Sequence, residues 1–129
     1  MFDKMKKFSG AWKSSRKPRK QRKYRLNAPL HIKQKLVHSH LSKDLRKKYS
    51  RRSVSLRKGD KVKIMRGQFK KQEGKVDSIS TKDTAVFVSG IEITKKDGTK
   101  RLVSFNPSNL MITELNLDDK QRQEILERK

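Results

Sequence analysis

Two stretches of this chain carry side chains whose types and spacing have a chemical use, and in both the chemistry is attraction to phosphate. Residues 16–25 read Arg-Lys-Pro-Arg-Lys-Gln-Arg-Lys-Tyr-Arg, seven cations in ten residues with no acid among them. Such a block cannot enter a core, whereas its guanidinium and ammonium groups suit a run of phosphates, and the Tyr24 ring can stack on a base. Pro18 is expected to keep the segment extended rather than helical. Arg16, Lys17, Arg19, Lys20, Arg22, Lys23, Tyr24 and Arg25 are therefore candidate nucleic-acid contacts, with a nuclear-import signal as the competing use of a short basic run.

The second stretch is Arg66-Gly67-Gln68-Phe69-Lys70-Lys71, inside a longer segment from Leu56 to Val76. A Lys-Gly-Asp turn at 58–60 leads into alternating Lys61, Val62, Lys63 and Ile64; the pattern breaks at Gly67 and resumes after Gly74 with Val76 and Ile79. That order reads as strand, basic loop, strand. Glycine lets the backbone turn and approach a phosphodiester closely, the lysines supply charge, and Phe69 can either anchor the loop or stack on a base. Arg66, Gly67, Gln68, Phe69, Lys70 and Lys71 join the candidate contacts; the competing reading is a surface hairpin with solvated lysines.

Other reactive types are sparse. His38 and His40 would project from the same side of a strand, but no further ligands accompany them and the surrounding lysines repel a dication, so no metal or other cofactor is expected. Neutral imidazoles bonded to RNA or backbone are the expected state. Asp118 and Asp119 look like paired carboxylates, yet a helix start explains adjacent acids better. Without a thiol or a nucleophile signature, an enzyme is not expected.

Bulk composition sets the frame for these stretches. The 129 residues carry a formal charge of +23 on 15.2 kDa, with 31% apolar and 38% charged residues and no cysteine. Self-repulsion of that size opposes compaction unless a polyanion neutralises it, which points to nucleic acid first and an anionic membrane second. No apolar run is long enough to cross a bilayer and no apolar block follows the basic start, so neither membrane insertion nor secretion is expected. The charge is uneven: residues 1–58 hold 21 Lys and Arg against Asp3 and Asp44, whereas residues 59–129 hold 15 against 11 acids.

The elements that must position these groups follow from periodicity. Residues 1–15, with Phe2, Met5, Phe8 and Trp12, are expected to form a mobile arm. Asn27 is expected to cap a short helix to Leu36, and Ser42 a second one to about Tyr49, with Leu41, Leu45 and Tyr49 on its apolar stripe. Lys33, Lys47, Arg51 and Arg52 would then face outward as further candidate contacts. Residues 54–115 read as β: strands at 75–80, 84–88, 91–94, 101–105 and 110–112 follow the one before Gly67, with turns at 81–83, Ser89-Gly90, Asp97-Gly98 and 106–109. Their spacing suggests a small SH3-like barrel. Asp118 is expected to cap a C-terminal helix in which Gln121, Ile125 and Leu126 could meet the barrel or another protein. The expected division is thus a basic extension, 1–53; a barrel, 54–115; and a helix, 116–129.

Val62, Ile64, Gly67, Phe69, Lys70, Gly74, Lys75 and Val76 resemble the KOW motif of ribosomal and transcription-elongation proteins, although many members carry glycine where this chain has Lys71. The likeness extends through Asn27-Ala28-Pro29-Leu30-His31, His40-Leu41-Ser42-Lys43-Asp44-Leu45-Arg46, Arg57-Lys58-Gly59-Asp60, Pro107-Ser108-Asn109 and Leu117-Asp118-Asp119-Lys120. Over residues 16–129 the chain resembles the archaeal and eukaryotic form of large-subunit ribosomal protein L twenty-four, called L twenty-six in eukaryotes. Residues 1–15 and 103–106 depart from the pattern.

That resemblance implies a cytoplasmic constituent of the large ribosomal subunit that binds its rRNA near the 5′ domain, helps start assembly and lies by the peptide exit tunnel. It also implies neighbouring ribosomal proteins as partners, the C-terminal helix being the expected contact, and no homo-oligomer. A KOW protein attached to RNA polymerase and a DNA-compacting basic protein are the alternatives.

Overall fold

The computed structural model describes residues 8–11 and 14–128. The expectation of a mobile arm rests largely on Phe2, Met5 and Trp12, which lie outside the described residues.

Three helices and seven strands precede a last helix: α1 (Pro18–Asn27), α2 (Leu30–Leu36), β1 (His38–Leu41), α3 (Lys43–Tyr49), β2 (Ser53–Ser55), β3 (Lys61–Ile64), β4 (Glu73–Ser80), β5 (Ala85–Thr94), β6 (Lys100–Phe105), a 3-10 turn (Pro107–Asn109), β7 (Leu110–Glu114) and α4 (Lys120–Glu127). The strands form one sheet in the order β2-β1-β7-β3-β4-β5-β6. All neighbours are antiparallel except β1 and β7, which pair in parallel through His40 with Met111 and Leu41 with Ile112. The mainly β fold is as expected, but the sheet is open rather than closed into a barrel. Its end strands are β2 and β6, and β4 bends it: Glu73 to Lys75 pair with β3, the rest with β5, across a register shift between Val76 and Ser78.

Alternation places the core. Val62 and Ile64 of β3, Val86 and Val88 of β5, and Leu110 and Ile112 of β7 are wholly buried. At roughly 1.5–3 kcal/mol for each buried aliphatic side chain, such residues supply most of the drive to fold. Between them Lys61 and Lys63 point outward to Glu73 and Glu114. Leu41 is buried with them, and Leu45 and Tyr49 pack against the cluster, which gives α3 the stripe expected of it. Its Ser42 cap accepts a hydrogen bond from the Leu45 N–H.

Four local expectations are corrected. Residues 18–27 are helical, because Pro18 sits in the first turn, where a missing N–H is harmless and its fixed φ suits a helix. Asn27 ends α1 instead of capping α2, whose N-cap is Pro29. Ser89-Gly90 is no turn: β5 runs through it, with Gly90 at φ +82° and the register broken between Phe87 and Glu92, so the glycine marks a bulge. The cap of α4 is Asp119, which accepts from the Gln121 N–H at 3.0 Å; Asp118 stands one residue further out, where its N–H donates to the Asn116 side chain.

Candidate nucleic-acid interface

The loop between β3 and β4 is closed by its own backbone. Lys71 N–H donates to the Ile64 carbonyl at 2.8 Å, Ile64 N–H to Gln72 at 2.9 Å, and Lys70 N–H to Gly67 at 3.2 Å. Gly67 takes φ +94° in open space, so the backbone angle and not crowding calls for glycine there. Gly74 is required for a different reason: a Cβ would come within 2.8 Å of the Ser89 carbonyl oxygen. Lys71 also takes a positive φ, +74°. The glycine-like angle is thus kept by a lysine, at a local cost of roughly 1–2 kcal/mol.

Phe69 is the anchor of the loop. It is half-buried and meets Phe105 edge to face with ring centroids 6.1 Å apart, so it fixes the bend instead of lying free for a base. Around it Arg66, Gln68, Lys70 and Lys71 are exposed.

In helix α1 none of the residues is buried and the first turn holds no acid. Arg19, Lys20, Arg22, Lys23 and Arg25 are exposed along it, with Arg16 and Lys17 just ahead. Tyr24 is half-buried and tilted against Phe8, centroids 5.0 Å apart, so its ring is engaged within the chain.

These two cationic elements border the same segment. Phe105 supports the loop, and Met65 N–H at the loop entrance donates to the Asn109 carbonyl at 2.9 Å. Between those points, Asn106 and Ser108 line a cleft whose opposite wall is Arg22, Arg25 and Leu26 of α1. The remaining candidates stand elsewhere. Lys47 is exposed on α3, Lys33 half-buried on α2, and Arg52 exposed after α3. Arg51 is half-buried and donates to the Arg128 carbonyl at 2.6 Å, which ties it to the chain's end.

His38 and His40 share the outer side of β1, as their spacing requires. Burial lowers the pKa of both below 6.5, and Arg46 and Arg52 add to the effect at His40, so both rings are neutral at pH 7. The His38 ring lies 3.2 Å from the Ser55 hydroxyl. Among the described residues, no group of three or more His, Cys, Asp or Glu could hold a metal ion.

Two features escaped sequence reasoning. Lys82, in the β4–β5 turn, lines the α1 cleft and joins its cations. Asp60 and Arg122 form a buried, forked ion pair at 2.6 and 2.7 Å. Asp60 also accepts from the N–H groups of Arg57 and Asn116, and Arg122 donates to the carbonyls of Asn116 and Ser55. The signal was present: Arg122 stands one turn before Leu126, which is also buried, so the packed face of α4 includes a cation that needs an acid. At the other end of the turn, Arg57 pairs with Asp119 and holds its carboxyl below the usual range.

The family model for the eukaryotic ribosomal proteins L twenty-six and their archaeal L twenty-four counterparts matches residues 15–129. The large ribosomal subunit protein uL24 of Methanospirillum hungatei is 49% identical over 112 residues, 87% of this chain and 93% of the relative. Those of Methanothrix thermoacetophila and Methanosphaera stadtmanae are 47% and 46% identical, over 88% and 89% of this chain and 98% of each relative.

Proposed function

The chain belongs to the family of ribosomal proteins called L twenty-six in eukaryotes and L twenty-four in archaea, and from that premise we propose that it binds large-subunit rRNA directly, near the 5′ domain. In this reading it is a structural constituent of the cytoplasmic large subunit, not an enzyme. It helps start subunit assembly and comes to rest by the peptide exit tunnel.

The observation that carries the reading is α1: ten residues rich in cations, with none buried and no acid in the first turn. A helix that rests on its own protein through Tyr24 and keeps its cations exposed is suited to a polyanion outside. Its cations and those of the β3–β4 loop displace the counterions condensed on RNA, which supplies the affinity, while the anchored loop fixes register. The functional division follows 1–53 for rRNA, 54–115 for the scaffold and 116–129 for neighbouring ribosomal proteins. In α4 the surface for such a neighbour centres on Ile125, 44% exposed at the flank of the face that buries Arg122 and Leu126. One copy per subunit is expected, without self-association or membrane contact.

Co-sedimentation tests the assignment. The chain should remain with large subunits through a high-salt wash; release into the supernatant with RNA polymerase would indicate a dissociable elongation factor instead.

A further inference from the structure

We propose that the cleft between α1 and the β4–β5 turn seats one unstacked nucleotide of the bound RNA. The inference rests on the rRNA-binding reading and adds a defined pocket to it. The cleft has a volume of about 380 Å³, within the range of small-ligand sites and large enough for one nucleotide.

Its walls carry what a nucleotide needs. Arg22 and Arg25 approach from the helix and Lys82 from the turn, so three cations from two elements of the chain meet over one opening. Among the described residues none of the three has an acid within 4.0 Å, which leaves their charge for a phosphate. Leu26 and Leu36 form the apolar part of the lining. Leu26 is 68% exposed, more than any other large apolar side chain among the described residues. A leucine in that state gains by covering itself, and the flat face of a base beside a phosphate site does so.

The polar edge of the cleft can read what enters. Asn106 uses its Oδ1 for the Ser108 N–H and hydroxyl, at 3.1 and 2.9 Å, so its NH2 remains a donor. Asp83, held by the Ser80 hydroxyl at 3.3 Å, is an acceptor in the same cleft. A donor and an acceptor suit a base edge or a 2′-hydroxyl, and a carboxylate there disfavours plain phosphate packing along the whole cleft. Thr84, also in the lining, holds φ +53°, strained for a β-branched residue. A paired duplex cannot present a splayed base to such a site; a loop or bulge can.

The test compares the wild-type full chain, Leu26→Ala and Lys82→Ala on a folded large-subunit rRNA fragment and on a perfect RNA duplex of equal length. Leu26→Ala should lose roughly tenfold in affinity for the fragment and nothing on the duplex. Lys82→Ala should flatten the salt dependence on the fragment by about 0.7–0.9 log units. Leu26→Ala binding the fragment as wild type does would overturn the inference while leaving rRNA binding intact. Failure of the wild type to bind either RNA would remove the rRNA-binding reading and this pocket together. Photocross-linking with 4-thiouridine in the fragment guards against a misfolded variant: wild-type cross-links should fall in peptides containing Leu26 or Lys82, and their absence from both would also refute the pocket.

Discussion

Asp60 and Arg122 show how one buried pair can hold a fold whose surface repels itself. The carboxylate accepts four hydrogen bonds, two from backbone N–H groups and two from the guanidinium fork, and the guanidinium reaches two carbonyls besides. Removing one side leaves a buried charge without its partner. Arg122→Met should therefore lower stability by about 3–5 kcal/mol, read as a shift of the urea midpoint; a loss below about 1 kcal/mol would show that the pair is bystander chemistry. Replacing both residues by leucine does not escape the penalty, because the N–H groups of Arg57 and Asn116 would lose their acceptor. The sequence places Asp60 in a turn and leaves α4 open to the barrel or to another protein; a cation on the packed face of α4 asks for an acid, but the bond spans 62 positions, so which acid answers is not written locally. The role of Phe69 was open for a similar reason: only its contact with Phe105 decides between anchor and base stack.

At the scale of elements, period and capping marked most of the chain well. The strands at 61–64 and 110–114, the helix after Ser42 and the hairpin at Asp97-Gly98 all lie where alternation, hydroxyl caps and Asp-Gly place them. Errors arose where one residue type serves two geometries. Proline breaks a helix from inside and starts one from its first turn; glycine ends a strand or bulges it, as at Gly90. The helical state of α1 also changes how it meets RNA. Its cations rise 1.5 Å per residue around a cylinder instead of spreading along an extended strand, so only one flank faces a given backbone. Alanine at Arg16, Lys17, Arg19 and Lys23, all outside the proposed cleft, should flatten the log-log salt dependence of rRNA binding by about three units if each contacts one phosphate. A slope unchanged from wild type would mean that this segment does not touch RNA.

Across the whole molecule, charge and core are separated along the chain. The first 58 residues hold 21 cations against 2 acids, while most of the apolar core comes from later residues. Residues 38–55 still contribute β1 and β2 to the sheet and Leu41 and Val54 to the core, so it is the segment ahead of them, α1 above all, that is left to follow the polyanion. The resemblance to L twenty-four extended beyond the short KOW signature, and the family match over residues 15–129 covers the same span. The arrangement of sites on the surface was harder to read than the fold. Residues as distant as Arg22, Lys82 and Asn106 meet only once the sheet has coiled.

A protein-to-RNA cross-link map of the intact large subunit measures most directly whether this chain holds rRNA through its basic helix and anchored loop. Cross-links should concentrate in residues 16–25 and 66–71. A map with none at 16–25 and its cross-links on α4 would contradict the assignment of the two faces.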